Sequence, residues 1–280
     1  MEKIQSNDIQ ICKNMTRSYG TSYFISTYFF PKNLRERTWV LYAFVRYPDE
    51  IVDTEEKDSN IARQKILAWK NEWEKAYNGS TDVNPVLRAN AVLWNDCKIP
   101  FEYSDIFLDS MLQDTNKNRY ANYSELEKYM YGSATVVGYM MSCIIGFNDG
   151  ALIYAKALAE AFQLTNFLRD IKEDLARGRI YIPQDDIKRY NMTEADFHNE
   201  VMSEQMKKLV LYEIERNEIL YNEALKGIPM LNKSGRRAVR IALYLYKEIM
   251  EKIKKKPERI FKERVRVSIL RKIYIIIKYF

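Results

Sequence analysis

The residues of this 280-residue chain best suited to chemistry are two acidic groupings. In QLTNFLRDIKED, Gln163, Asn166, Asp170 and Asp174 follow one another at steps of three, four and four. With about 3.6 residues per helical turn, such a row lines one face. In LYAFVRYPDEIVD, Asp49 and Asp53 stand four apart and share a face in the same way. Carboxylates with a carboxamide form an oxygen donor set, which suits a hard cation. On an arbitrary exposed helix the same spacing marks only a solvated face. Here Leu164, Phe167 and Leu168 interrupt the first row, and Tyr42, Phe44, Val45, Ile51 and Val52 surround the second. Both helices are therefore predicted to lie deep, where a carboxylate needs a partner or a metal. Two such rows facing each other across a cavity would hold Mg²⁺ ions that neutralise a substrate diphosphate. Arg46 and Arg169 stand beside them and suit phosphate oxygens.

The elements that must carry these rows read as helices throughout. Apolar residues recur at helical spacing over residues 3–17, 59–77, 84–96, 101–115, 123–147, 199–225 and 231–254. A helix from Leu34 onward is expected to take Asn33 as its cap and to be disturbed at Pro48, which lacks an N–H. The stretch 152–183 reads as one apolar helix carrying the first acidic row, ended by Gly178 and Pro183 in RGRIYIP. Gly132, Ser133, Ala134 and Gly138 in YMYGSATVVG permit the close approach of another helix or a ligand. No alternating β-branched run forces a sheet, and no repeat or low-complexity linker divides the chain. One all-α domain over residues 1–280 is the expectation.

Composition narrows the chemistry further. A single histidine, His198, argues against histidine triads and His-rich zinc sites. Three scattered cysteines match no ligand pattern and suit a reducing, cytoplasmic setting. The N-terminal residues show no apolar signal core, and the longest apolar run, residues 134–147, is shorter than the roughly 20 residues of a spanning helix. The net charge of +6 is concentrated: residues 251–280 carry eleven Lys or Arg against three Glu, leaving the rest at about −2. A basic tail on a nearly neutral body is not the broad positive face of a nucleic-acid binder.

Four blocks, SYFISTYFFP, LYAFVRYPDEIVD, YMYGSATVVG and QLTNFLRDIKEDLARGRIYIP, with the weaker RVRVSILRK, occur in an order that resembles the squalene/phytoene synthase family of head-to-head prenyl transferases. The resemblance implies an all-α, single-domain isoprenoid-synthase bundle around a central cavity, and an enzyme of isoprenoid or carotenoid biosynthesis. It implies two or three Mg²⁺ ions and two prenyl diphosphates as partners. By position, Asp49, Asp53, Asn166, Asp170 and Asp174 would be metal ligands. Arg46, Gln163 and Arg169 would bind diphosphate or intermediate. Tyr42, Tyr129 and Tyr246 would stand near the reacting carbons, and Tyr19, Gly20, Thr21 and Ser22 match a substrate-contacting stretch. Two departures are evident: Glu50, preceded by Pro48, replaces an aspartate of the first motif, and Tyr19 stands where some bacterial members carry histidine.

Two geranylgeranyl diphosphates joined through a cyclopropyl diphosphate to phytoene is the implied reaction. Farnesyl diphosphate would instead give squalene, which needs NADPH, or dehydrosqualene. Tyr23, Thr27 and Trp39 are expected to help set chain length, and the small Thr27 favours the longer chain. Rival readings are another isoprenoid-synthase class and a non-catalytic assembly factor on the same fold. The tail KERVRVSILRKIYIIIKYF either packs Ile269, Leu270, Ile273 and Ile277 on the bundle or lies on an anionic membrane.

Overall fold

The computed structural model describes residues 3–55 and 58–279. Among these residues all regular elements are helical, and an isolated bridge pairs Phe147 with Leu231. The all-α expectation holds. The chain groups into two compact units, each drawn from three stretches of sequence.

The first unit comprises Met1–Lys117, Val136–Leu152 and Pro229–Ala238. Its helices Ser6–Tyr19, Lys32–Glu50, Ser59–Tyr77, Pro85–Cys97, Phe101–Asp114 and Val136–Ile145 enclose an aromatic centre. There Phe44 meets Trp73 at 4.9 Å and Trp94 at 5.2 Å between ring centroids. The Trp73 indole N–H donates to Ser104 Oγ at 2.9 Å, so the buried ring leaves no orphaned donor. Local signals start the helices. Asp58 accepts from the Asn60 N–H, and Asn84 accepts from the Val86 N–H ahead of Pro85 at the first helical position. The Lys32–Glu50 helix departs from expectation, because its cap is Pro31 and not Asn33. Pro31 already holds the extended backbone of a cap (φ −54°, ψ 154°), which leaves Asn33 inside the first turn.

The second unit comprises Asn118–Thr135, Ile153–Ile228 and Val239–Phe280. Its core joins the helices Leu152–Arg169 and Glu204–Gly227 through buried polar contacts. The Thr165 and Tyr221 hydroxyls lie 2.7 Å apart, and Asn217 Nδ2 donates to Ala161 O and Thr165 Oγ1. RGRIYIP is pinned by backbone bonds: the N–H groups of Ile180, Gln184 and Asp185 donate to the carbonyls of Asn118, Tyr120 and Ala121. Of two helices expected to be continuous, one is distorted and the other is interrupted. The segment after Tyr123–Met130 widens to a π-turn over Tyr131–Thr135. The 152–183 helix stops at Arg169 and restarts as Ile171–Ala176, with Asp170 at the junction (φ −103°, ψ 16°).

Candidate active site

Each acidic segment sits where a helix loses its regular pattern. In the first unit the helix runs through Pro48, whose nitrogen cannot donate to the carbonyl four residues back. The Ile51 N–H is shared between the Tyr47 and Pro48 carbonyls, and residues Ile51–Glu55 continue as a π-turn. Single π-turns inside helices recur at functional sites, because they re-aim side chains without ending the element. Asp49 precedes this turn and Asp53 lies in it. Arg46 reaches along the helix to ion-pair with both Asp49 and Glu50. Glu50, which departs from the family pattern, is thus spent on Arg46 and nearly buried.

The tyrosine–glycine block packs onto this helix. Arg46 lies over the Tyr19 ring at 5.8 Å, and Tyr23 stacks on Tyr42 at 4.9 Å. Gly20 allows that arrangement, because a Cβ there would come within 2.8 Å of Tyr42 Cζ. The structure therefore gathers Tyr19, Gly20, Tyr42, Arg46 and Asp49. The side chains of Thr21 and Ser22 lie outside the described residues. Further along, the Trp39 indole donates to Thr27 Oγ1 at 2.9 Å and Phe24 stacks on Trp39, so Thr27 and Trp39 form one buried group.

In the second unit the acidic row is not a solvated face. Asp174 is buried, Gln163, Asn166 and Asp170 are half-buried, and Leu164, Phe167 and Leu168 are buried around them. The break at Asp170 keeps the row's spacing, because the Asp170 N–H donates to Asn166 O and the Asp174 N–H to Asp170 O, both at 2.8 Å. Asp170 is held by two arginines. Arg169 donates to it through Nε at 2.7 Å and through Nη2. Arg264 approaches it with Nε at 3.0 Å and Nη2 at 3.1 Å. Burial opposes the Arg169 charge, but Asp170 outweighs it, with Tyr246 contributing, and the guanidinium is raised above its ordinary value. Tyr246 also stacks on Phe162 at 4.3 Å. Gln163, Asn166, Arg169, Asp170 and Tyr246 thus belong to one neighbourhood.

Tyr129 belongs to a different group, an aromatic box with Tyr120, Phe167 and Tyr181. Phe167 stacks on Tyr181 at 4.1 Å, and Tyr129 lies 5.1 Å from Tyr120 and 5.9 Å from Tyr181. Sequence reasoning missed Arg264, Tyr120 and Tyr181 as site residues. Tyr181 lies inside the RGRIYIP block and Arg264 inside RVRVSILRK, but nothing in their spacing tied them to Asp170 or Tyr129.

Asn166 tests the fit to a metal. Among the described residues its Nδ2 has only Gln163 Oε1 at 3.5 Å, and its buried Oδ1 has no hydrogen-bond partner. An orphaned acceptor beside Asp170 costs free energy unless something electropositive meets it. Among the described residues no three His, Cys, Asp or Glu side chains cluster as a cage of their own. Mg²⁺ does not require one, since it binds through one or two carboxylates together with substrate phosphates. The donor set fits.

The chain matches the squalene/phytoene synthase family model over residues 16–271. It is 30% identical to a phytoene synthase of Arthrospira platensis, over 96% of this chain and 91% of that protein. It is also 30% identical to a 15-cis-phytoene synthase of Synechocystis sp., over 94% and 82% of the two chains. Its fold superposes on the squalene synthase HpnC of Alicyclobacillus acidocaldarius with a TM-score of 0.81 at 25% identity, covering 89% of this chain and 94% of that one. A dehydrosqualene synthase shares the fold with a TM-score of 0.89 at 24% identity, covering 98% and 95%. With a family-model match over most of its length and a relative at 30% identity covered nearly end to end, the chain belongs to the squalene/phytoene synthase family and is a prenyltransferase.

Proposed function

We propose that this enzyme joins two geranylgeranyl diphosphates head to head, through a cyclopropyl diphosphate, to give phytoene. Near-full-length similarity to phytoene synthases is the observation that carries this reading. Asp49, Asp53, Asn166, Asp170 and Asp174 would hold Mg²⁺, which when bound neutralises diphosphate and makes it a better leaving group. The chain's own residues supply the rest. Arg169 and Arg264 converge on Asp170, and Arg46 on Asp49, so each acidic segment keeps guanidinium donors poised for phosphate oxygens. On substrate binding these guanidinium groups would exchange their carboxylate partners for phosphate oxygens, releasing the carboxylates to the metal and stabilising the departing anion. The allylic cation left behind calls for a dry, electron-rich surface, and the box of Tyr120, Tyr129, Phe167 and Tyr181 presents stacked π-faces. Its three cysteines are free thiols, as suits a cytoplasmic enzyme.

The test is incubation of the purified protein with Mg²⁺ and either geranylgeranyl or farnesyl diphosphate, with and without NADPH, and chromatography of the hydrocarbons. A forty-carbon hydrocarbon with a conjugated triene chromophore is expected without NADPH. A thirty-carbon product alone would replace phytoene with squalene or dehydrosqualene, and no product from either substrate would remove the catalytic reading.

A further inference from the structure

The Ile269–Tyr279 helix is amphipathic with its apolar face turned outward. Ile275 is buried, Tyr279 stacks on Tyr244, and Arg271 pairs with Glu248 at 2.9 Å, so the helix is fixed to its unit by that side. Ile269, Ile273 and Ile277 form one line at steps of four, and Leu270 and Tyr274 form the neighbouring line. All five are exposed, Leu270 at 81% and Ile269 at 75%. The expectation that these isoleucines and Leu270 pack on the bundle is overturned. A contiguous exposed apolar strip of this kind marks a surface with a partner.

Charge identifies the partner. The helix holds Arg271, Lys272 and Lys278 and no Asp or Glu, and of these Arg271 is paired with Glu248. Lys278 and Arg271 flank the strip, and both lie against the Tyr274 ring, at 5.9 and 4.9 Å from its centroid. A second copy of the chain docking here by two-fold symmetry would bring these cations against their own counterparts, and like charges oppose such a contact. An anionic bilayer meets both demands, since its acyl boundary accepts the isoleucines and its headgroups accept the cations.

We propose that the Ile269–Tyr279 helix is an in-plane docking element for an anionic membrane. Ile269, Leu270, Ile273 and Ile277 enter the acyl boundary, while Lys272 and Lys278 lie at the headgroups. Among the described residues no helix is long and apolar enough to cross a membrane, so attachment through this helix is by its face. The inference stands independently of the reaction, because vesicle binding is read without substrate.

Deleting the tail would be a poor test, since Ile260, Phe261 and Val265 are buried core. Point substitutions on the exposed strip avoid that damage. The whole chain is floated with phosphatidylcholine vesicles, plain or containing about one third phosphatidylglycerol. The unaltered protein should partition onto the anionic vesicles, and Leu270→Ser/Ile277→Ser should bind them about tenfold more weakly or less, with unchanged helicity and melting temperature. Ile273→Glu, a charge placed mid-strip, should give the same loss on its own. Equal binding of variants and parent, equal binding to neutral and anionic vesicles, or no binding overturns the proposal. A dimer that the same substitutions dissociate, in a protein that ignores vesicles, overturns it in favour of a second copy.

Discussion

Asn166→Ala separates a residue kept for the fold from one kept for a ligand. A buried acceptor without a partner costs about 1–3 kcal/mol, and Asn166 Oδ1 is such an atom. Its amide makes one long contact, 3.5 Å to Gln163, so the hydrogen bonding lost on truncation is small. Alanine is also the better helix former, by about half a kcal/mol. Against this stands the lost side-chain packing, on the order of 1 kcal/mol. The metal-free variant should therefore be as stable as the parent to within about 1 kcal/mol, or slightly more stable.

Ligand binding should reverse the order. A ligand at a hundred times its dissociation constant stabilises a protein by about 2.7 kcal/mol. For a chain of this size that is a rise of about 5 °C in melting temperature. The parent should show it with Mg²⁺ plus inorganic diphosphate, and the variant should lose most of it. Turnover should drop by about a hundredfold, the scale of losing one preorganised polar group at a reacting centre. Circular-dichroism melts with and without ligand, read beside a turnover assay, check all three. A variant that is about 2 kcal/mol less stable without ligand, yet turns over at close to the parental rate, refutes the assignment and makes Asn166 structural.

Asp49→Ala and Asp170→Ala should each abolish turnover while far-UV circular dichroism still reports a folded helical protein; full activity in either variant sinks the metal assignment. Gly20→Ala should destabilise by about 1–3 kcal/mol in urea titrations, because its Cβ would overlap the Tyr42 ring, and Tyr42→Phe should restore part of the loss. The backbone is not the cause there, since φ is −131°. Glu213 gives a pH signature: burial, with Asp186 adding and Arg216 opposing, raises its pKa from 4.5 to about 7. The folded state then holds a proton that the unfolded chain releases, so this contribution is full below about pH 4.5 and fades as pH rises through 7. The loss is at most about 3 kcal/mol, and Glu213→Gln should flatten that part of the stability profile.

Some of this protein was legible in its residues. Helical periodicity located the long helices, because side-chain spacing along one chain is a local property. The acidic rows and RGRIYIP marked the family, because their chemistry resides in residue type and order. Other features were decided only by packing. Asp170 is the hinge between two helices and the meeting point of Arg169 and Arg264, the second of them 94 residues away. Tyr120 and Tyr181 complete the Tyr129 box because backbone bonds draw RGRIYIP along residues 118–121. The C-terminal helix shows the limit most directly. Its sequence states which residues share a face, but a periodic pattern is the same whether that face turns in or out. Ile275 and the Tyr244–Tyr279 stack make that choice, and they leave Ile269, Leu270 and Ile277 in solvent.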